Sequence, residues 1–285
     1  MKLAVSSYSF GDYLSKDKMG IRGCMEWAKE QGFEGFELVQ HNLERYDVDL
    51  NEIAECSKEF DLPIVAYLVY KNFLMDGGKY FDKVVDSAIA DVEKAVLVDS
   101  PMFRHDIVDG LPQRQLGKSF DEIFNMLAEG TRRITEYAAS RGIKTSLENH
   151  GHFLNEAAII ERFINTVNHE NFGLMLDMGN FLNVDEDPAY CVGKLARYAS
   201  HAHGKDYHFK QGGVNDPGEG WHKTRGGNYL RGAILGHGDV NVARAVDTLK
   251  RSGYNGWLTV EFEGIEDNLK GIRISRDNLV RYIGE

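Results

Sequence analysis

"WAKEQGFEGFELV", residues 27 to 39, and "LKRSGYNGWLTVEFEG", residues 249 to 264, repeat one pattern near the two ends of the chain. Each runs from a helical stretch through a glycine, an aromatic residue and a second glycine into a β-rich stretch. Gly32 and Gly253 stand where a helix ends in the left-handed conformation that suits glycine. Because the same helix-to-strand turn occurs twice, we infer that one supersecondary unit recurs along the chain.

Short β-rich runs alternate with amphipathic helical stretches throughout the 285 residues. This alternation predicts βαβ units and a parallel sheet, and eight strands with eight helices predict a single closed (β/α)8 TIM barrel over residues 1–285. The fourth strand is predicted in "AVLVDSPM", residues 95 to 102. A Gly-rich segment at about residues 207–238 is predicted to be an irregular loop that covers the active site, because loops of this length are usually functional.

The composition limits the classes of partner. A hydrophobic share of 42% and a charged share of 27% are typical of a soluble globular protein, and the net charge of -11 argues against a nucleic-acid partner. The three cysteines form no CxxC pair and suit a reducing compartment. The sequence shows no stretch typical of a signal peptide or a membrane span, so we expect a cytoplasmic protein without a membrane partner. A homo-oligomer is compatible with the sequence.

Polar residues end the last four predicted strands. Carboxyl ends of barrel strands meet on one face, where the active sites of TIM barrels lie. Three carboxylates cannot share a dry pocket without a counter-charge, because each raises the pKa of the others. A divalent cation supplies this charge, and an oxygen-rich set with one imidazole suits Mn²⁺, Mg²⁺, Co²⁺ or Zn²⁺. One such carboxylate alone is more often a helix N-cap, but four residues at one end predict a metal site. The predicted ligands are Glu148, Asp177, His203 and Glu261.

The motifs resemble those of the xylose isomerase-like TIM barrels, which include sugar isomerases, sugar epimerases and an AP-endonuclease branch. The resemblance covers essentially the whole chain and lies in "GFEGFEL", "LEN", "LDMGN", "HAHGKD" and "GYNGWLTVEFEG". It implies the same four metal ligands. It also implies catalysis by proton transfer through a metal-bound enediolate, with Glu148 and Glu261 as the acid–base pair. His203 is the implied ligand of its strand, and His201, on the same strand face, ranks second.

Other polar residues are predicted to support the ligands or to contact a carbohydrate substrate. Two departures from the ketose epimerases of the family are Asn180, where these carry a histidine, and the lack of their arginine after the seventh strand. Glu37 is predicted either to contact substrate or to form a buried hydrogen-bonding brace. The supporting residues are predicted to be Asn180, Lys205, Asp206 and His201. The predicted substrate contacts are His150, Trp221, His222, Arg225, His105, Arg104 and Glu37.

Three functions remain open at this stage. The first is a metal-dependent isomerase or epimerase of a sugar or sugar derivative. The second is a metal-dependent dehydratase of a keto-inositol or related polyol, which needs the same metal and base. The third, a DNA-repair nuclease like the AP-endonucleases, is disfavoured by the acidic net charge and by the lack of a histidine after the third strand.

Overall fold

In a computed structural model, which describes residues 1–108, 110, 117–213 and 215–284, eight parallel strands close into a barrel. The predicted (β/α)8 barrel is confirmed. The barrel strands are β1 (Lys2–Ser6), β2 (Gly35–Val39), β3 (Ile64–Val69), β4 (Met102–His105), β5 (Lys144–Glu148), β6 (Phe172–Asp177), β7 (Ala199–Gly204) and β11 (Trp257–Val260). They pair in the order β1-β11-β7-β6-β5-β4-β3-β2, so that β1 and β2 close the ring.

Helices connect the strands around the outside of the barrel. Gly32 and Gly253 have φ angles of 81° and 85° at the ends of two helices, as the repeated turn predicts. Among the described helices, none combines the length and the apolar character that crossing a membrane requires. The α-helices are α1 (Gly20–Glu30), α2 (Gln40–Arg45), α3 (Leu50–Glu59), α4 (Phe81–Leu97), α5 (Phe120–Ser140), α6 (Ala157–Val167), α7 (Pro188–Leu195), α8 (Val242–Arg251) and α9 (Asn268–Gly284).

The position predicted for the fourth strand is wrong. Residues 95 to 97 belong to the end of α4, which runs to Leu97, and β4 begins only at Met102. A short apolar run fits a buried helix end as well as a strand, so the run itself could not distinguish the two. The helical spacing of the buried positions on α4 distinguishes the two, and these positions are Val85, Ala88, Asp91, Val92 and Ala95.

The segment at 207–238 is folded, which corrects its prediction as an irregular loop. Its three short strands are β8 (Asp206–Lys210), β9 (His222–Lys223) and β10 (Tyr229–Ala233). They form a small antiparallel sheet in the order β8-β10-β9 beside the barrel. Residue 214 lies outside the described part of the chain. We call this sheet with its connecting turns the flap.

Hydrogen bonds fix the flap to the loop that follows β6. The Asp185 carboxylate accepts hydrogen bonds from the Thr224 hydroxyl, the Gly226 N–H and the Asn228 side chain, at 2.6 to 2.7 Å. Asp185 itself has a positive φ of 62°, a conformation that aspartate tolerates better than most residues. The turn between β9 and β10 is therefore tied to the loop that follows β6.

Candidate metal centre

Four side chains converge at the carboxyl ends of the barrel strands. Glu148 ends β5, Asp177 ends β6, His203 lies next to the end of β7, and Glu261 directly follows β11. Each offers one ligand atom, and these four atoms lie within 4.8 Å of one another. All four residues are buried. The structure thus brings the four predicted ligands together, and we call them the carboxylate–histidine cluster.

The cluster contains polar atoms that the rest of the protein leaves unpaired. Asp177 Oδ2 and His203 Nδ1 are buried and have no hydrogen-bond partner in the described part of the chain. His203 Nδ1 lies 3.4 Å from Glu148 Oε1 and 3.3 Å from Glu261 Oε2. Leaving a buried polar atom unpaired costs about 1–3 kcal/mol, so such atoms usually have a partner. The donor set and its unpaired atoms fit a divalent cation.

Asp177 carries the clearest electrostatic sign of missing positive charge. Burial raises the pKa of Asp177 to about 7; Glu148 and Glu261 also raise it, while Lys205 opposes the shift. An aspartic acid with this pKa is partly protonated at neutral pH. A metal ligand must be deprotonated, so binding of a cation would release this proton.

A buried carboxylate orients the histidine of the cluster. Glu37 Oε2 lies 2.9 Å from His203 Nε2 and 3.2 Å from His201 Nε2, and His201 also contacts the Thr259 hydroxyl at 2.7 Å. When Nε2 of His203 donates to Glu37, Nδ1 presents its lone pair to the cluster. Although burial opposes ionisation, the two histidines lower the pKa of Glu37 to about 2. The structure therefore places Glu37 behind the histidine, in the position of a brace.

Arg104 holds Glu148. Its guanidinium group is buried, forms ion pairs with Glu148 and with Asp106 (3.1 Å to Oδ2), and donates to the Val69 carbonyl. Burial disfavours the charged form of Glu148, but Arg104 outweighs burial and holds the pKa of Glu148 well below its usual range. Arg104, predicted as a substrate contact, thus keeps one carboxylate of the cluster ionised and in place.

Lys205 has the corresponding position beside Glu261. Its ammonium group lies 2.7 Å from Glu261 Oε2, 3.4 Å from Asp177 Oδ2 and 3.7 Å from Glu263 Oε2. Burial disfavours the charged lysine, yet the surrounding carboxylates outweigh it and raise its pKa well above the usual value. One lysine therefore serves three carboxylates.

Two asparagines position Asp177. The side chain of Asn149 bonds to both the N–H (2.8 Å) and the carbonyl oxygen (2.9 Å) of Asp177. The backbone N–H of Asn180 donates to Asp177 Oδ1 at 2.7 Å, and its side chain donates to Glu148 Oε1 at 3.2 Å. These bonds occupy Oδ1 of Asp177 and turn Oδ2 toward the cluster. Asn180 thus lies beside two of the predicted ligands, where a supporting residue is expected. Asn149 was not among the predicted site residues.

A cavity of about 430 Å³ opens onto the cluster, and we call it the metal cavity. Glu148, Glu261, Arg104 and Lys205 line its inner end, and Tyr8, His41, Tyr70 and Val39 line its wall. His150 lies at its edge, exposed, with Nδ1 3.6 Å from Asp106 Oδ2.

The other predicted substrate contacts do not line this cavity. His222 lines a second cavity next to the metal cavity. Trp221 packs against the cationic ends of Lys210 and Arg231 on the flap, and Arg225 pairs with Glu156. His105 is fully buried against Phe73 and Phe103. Among the predicted substrate contacts, only His150, Arg104 and His222 line one of the two cavities.

Asp206 was predicted to support the metal ligands, but its carboxylate bonds to backbone N–H groups at the base of the flap instead. Its carboxylate accepts backbone hydrogen bonds from Tyr207, Gly236, Gly238 and Val240, at 2.8 to 3.0 Å. These bonds join the start of the flap to the segment that follows it, so Asp206 closes the base of the flap.

Besides Asn149, three residues near the cluster or its cavities were not predicted: Asp106, Glu263 and His152. Asp106 follows β4, whose position was misjudged, and Glu263 lies two residues after Glu261. The period of two along an extended chain places Glu261 and Glu263 on the same side, which is the signal that could have identified Glu263. No comparable signal marks His152, which lies in an irregular turn after β5.

Comparison with known proteins agrees with the fold and the motifs. A model of the xylose isomerase-like TIM barrel family matches residues 25–281. An inosose dehydratase of Mesomycoplasma hyopneumoniae is 26% identical over 148 residues, which are 49% of this chain and 47% of that relative. The chain thus spans about half the length of this relative.

Two solved structures share the fold over their whole length. The IOLI protein with a bound zinc atom superposes with a TM-score of 0.77 at 16% identity, covering 100% of this chain and 98% of that one. The 3-keto-D-glucoside 4-epimerase of E. coli superposes with a TM-score of 0.72 at 18% identity, covering 99% of both chains. At these identities the likeness concerns the fold alone. With the family match over residues 25–281, this chain belongs to the xylose isomerase-like TIM barrel family.

Proposed function

We propose that the protein is a metal-dependent isomerase or epimerase that transfers a proton at the carbon beside the carbonyl group of a sugar or sugar derivative. The observation that carries the proposal is that two glutamates, Glu148 and Glu261, share one buried cluster with Asp177 and His203. In the barrel, β6 and β7 separate the strands that carry the two glutamates. The two carboxylates therefore flank the other two ligands, as removal and return of a proton require.

Mn²⁺, Mg²⁺, Co²⁺ or Zn²⁺ would be held by the four residues of the carboxylate–histidine cluster. When bound, such an ion polarises the substrate carbonyl and stabilises the negative charge that develops on its oxygen. The zinc atom in the structurally similar IOLI protein supports a bound metal in a barrel of this kind.

Arg104 and Lys205 complement the two glutamates. Each cation keeps its glutamate ionised at neutral pH and restricts its orientation. A glutamate with a low pKa is a weak base, so it can remove a carbon-bound proton only where that proton has become more acidic.

A dehydratase acting on a keto-inositol or related polyol is the second candidate. The inosose dehydratase relative supports it, and so does the position of Lys205. An ammonium group 2.7 Å from Glu261 can donate a proton to a departing hydroxyl group after the glutamate has removed the proton on the adjacent carbon. Both candidates begin with the same proton abstraction and differ in the second step.

The test is a substrate screen in deuterated water. The protein, loaded with Mn²⁺, is incubated with ketoses, keto-inositols and keto-glycosides, and the products are analysed by mass spectrometry. An isomerase or epimerase gives a product of unchanged composition that gains deuterium at the carbon beside the carbonyl. A dehydratase gives a product that has lost water.

Metal-stripped protein is the control, and it should convert none of these compounds. Conversion without deuterium incorporation would contradict proton transfer by an exchangeable carboxylic acid and would favour hydride transfer. Equal conversion by metal-stripped and loaded protein would contradict the role of the cation.

A further inference from the structure

A second cavity adjoins the metal cavity and remains to be explained. It has a volume of about 350 Å³ and lies between the turn after β5, the loop after β6 and the flap. We call it the polar cavity. Tyr8, His150, Lys205 and Glu263 line both cavities, so that the two spaces share one boundary. Each volume lies near the lower end of the range of about 300–1,000 Å³ that is typical of ligand pockets. A ligand that fills both must have two parts.

The polar cavity presents hydrogen-bond acceptors. His222 Nε2 lies 2.9 Å from the side-chain oxygen of Asn183. Because this oxygen only accepts, Nε2 carries the proton and Nδ1 of His222 remains an acceptor. Nδ1 of His152 is buried and has no hydrogen-bond partner among the described residues. The Glu263 carboxylate adds further acceptor oxygens. A ligand whose hydroxyl groups donate hydrogen bonds matches these acceptors.

The charges around both cavities disfavour an anionic ligand. Lys205 is the one lysine or arginine among the residues described as lining the polar cavity, and three carboxylates surround it. In the metal cavity, Arg104 is committed to Glu148 and Asp106. A phosphate group brings acceptors and negative charge to a surface that already has both, so it would lie beside carboxylates without a free cation.

Several residues that line the polar cavity are also fixed in place by contacts within the protein. Asn183 fixes His222, and the backbone N–H of Arg225 donates to the Asn183 carbonyl at 2.8 Å. The ring of Tyr207 packs edge-on against His222 with a centroid distance of 5.8 Å. The flap is therefore tied to the loop after β6 at the point where it closes the polar cavity. Preorganised polar groups lose little entropy on binding.

We propose that the polar cavity binds a second, uncharged and hydroxyl-rich ring, so that the substrate is an unphosphorylated glycoside or disaccharide derivative. The ring that reacts occupies the metal cavity, and the hydroxyl groups of the second ring donate to His222, His152 and Glu263. This inference rests on the proposed function for the identity of the reacting ring, but binding at the polar cavity does not require turnover.

Binding of unreactive probes tests the proposal independently of activity. Dissociation constants of the Mn²⁺-loaded protein are measured by calorimetry for glucose, glucose 6-phosphate, maltose, cellobiose and trehalose. At least one disaccharide is expected to bind about tenfold more tightly than glucose, which corresponds to about 1.4 kcal/mol. His222→Ala and His152→Ala should remove this difference and leave glucose binding unchanged. His237→Ala, which alters an exposed histidine away from both cavities, should preserve the difference.

Four results would overturn the proposal. Glucose could bind as tightly as every disaccharide, glucose 6-phosphate could bind most tightly, no disaccharide could bind measurably, or the two histidine variants could weaken glucose and disaccharides equally. Failure of the proposed function would look different, because deuterium exchange and metal dependence would then be absent while disaccharide binding remained.

Discussion

Two buried aspartates, Asp91 and Asp177, differ in how their charge is compensated. Asp91 lies on α4, and its two oxygens are 2.6 Å from the Lys71 ammonium and 2.8 Å from the Lys94 ammonium. Asp177 lies at the end of β6, where its nearest cation, Lys205, is 3.4 Å away and closer to Glu261. Asp91 has one lysine beside each of its two oxygens, whereas Asp177 shares a single lysine with two more carboxylates.

The difference separates a structural ion pair from a binding site. A buried charge is tolerated when it is paired, and the Asp91 pairs need nothing from outside the protein. In the carboxylate–histidine cluster, Asp177 Oδ2 and His203 Nδ1 have no hydrogen-bond partner among the described residues, and under the proposed function a cation would lie between them. Burial alone would not have distinguished the two aspartates; the count of nearby cations does.

The largest expected effect concerns the two bases. Glu148→Gln and Glu261→Gln each keep a ligand oxygen but remove the base, so turnover of the substrate found in the screen should fall about a thousandfold or more. Steady-state kinetics measures the effect. Glu129→Gln, at an exposed glutamate on α5, is the matched control and should retain full activity. Activity persisting in both cluster variants would rule out this acid–base pair.

The next effect concerns Asp91. Asp91→Ala leaves the largely buried Lys71 without its partner, so the free energy of unfolding should fall by about 3 kcal/mol, while metal binding stays the same. Denaturant unfolding measures the loss. Asp86→Ala on the same helix removes an exposed ion pair with Arg133 and should cost less than about 1 kcal/mol. Equal losses in the two variants would show that the buried pair is no stronger than a surface pair.

Metal addition should stabilise the protein through Asp177 and not through Asp91. A cation that binds only the folded state at a hundred times its dissociation constant adds about 2.7 kcal/mol. Metal-stripped wild type and metal-stripped Asp91→Ala should therefore gain the same stability when Mn²⁺ is added, measured as a shift of the unfolding midpoint. If Mn²⁺ stabilised wild type but not Asp91→Ala, the ion would bind outside the carboxylate–histidine cluster.

The smallest effect is the pH dependence that arises from His105. Burial lowers the pKa of His105 to about 4, whereas an unfolded histidine has a pKa of about 6.5. Below pH 6.5 the unfolded state binds more protons, so stability falls as the pH falls, by about 2 kcal/mol between pH 6.5 and pH 5. His105→Gln should flatten this part of the profile relative to wild type, and His237→Gln should not. An unchanged slope in His105→Gln would show that His105 does not titrate in this way.

The sequence predicted the barrel because its information is local and repeated. Strand runs, helical periodicity and the turns at Gly32 and Gly253 all point to one unit, and the four cluster residues follow from their places at strand ends. The fourth strand was misplaced because "AVLV" fits a buried helix end as well as a strand. This shift also left Asp106 out of the predicted site.

The remaining features of the site depend on contacts between distant parts of the chain. The pairing of Arg104 with Glu148 joins residues 44 positions apart, and that of His203 with Glu37 joins residues 166 positions apart. The fold of the flap depends on hydrogen bonds to Asp185, which lies on another loop. A single sequence does not show these bonds, so the many glycines of the segment suggested an irregular loop. Side-chain partners of this kind have no periodic signal in a single sequence.

The metal content of purified protein tests the central claim most directly. Wild type and Asp91→Ala, loaded with Mn²⁺ and dialysed, should each retain about one divalent ion per chain by elemental analysis. Asp177→Ala should retain far less, because it removes a ligand oxygen that has no hydrogen-bond partner among the described residues. An undiminished metal content in Asp177→Ala, or no bound ion in wild type, would contradict the account.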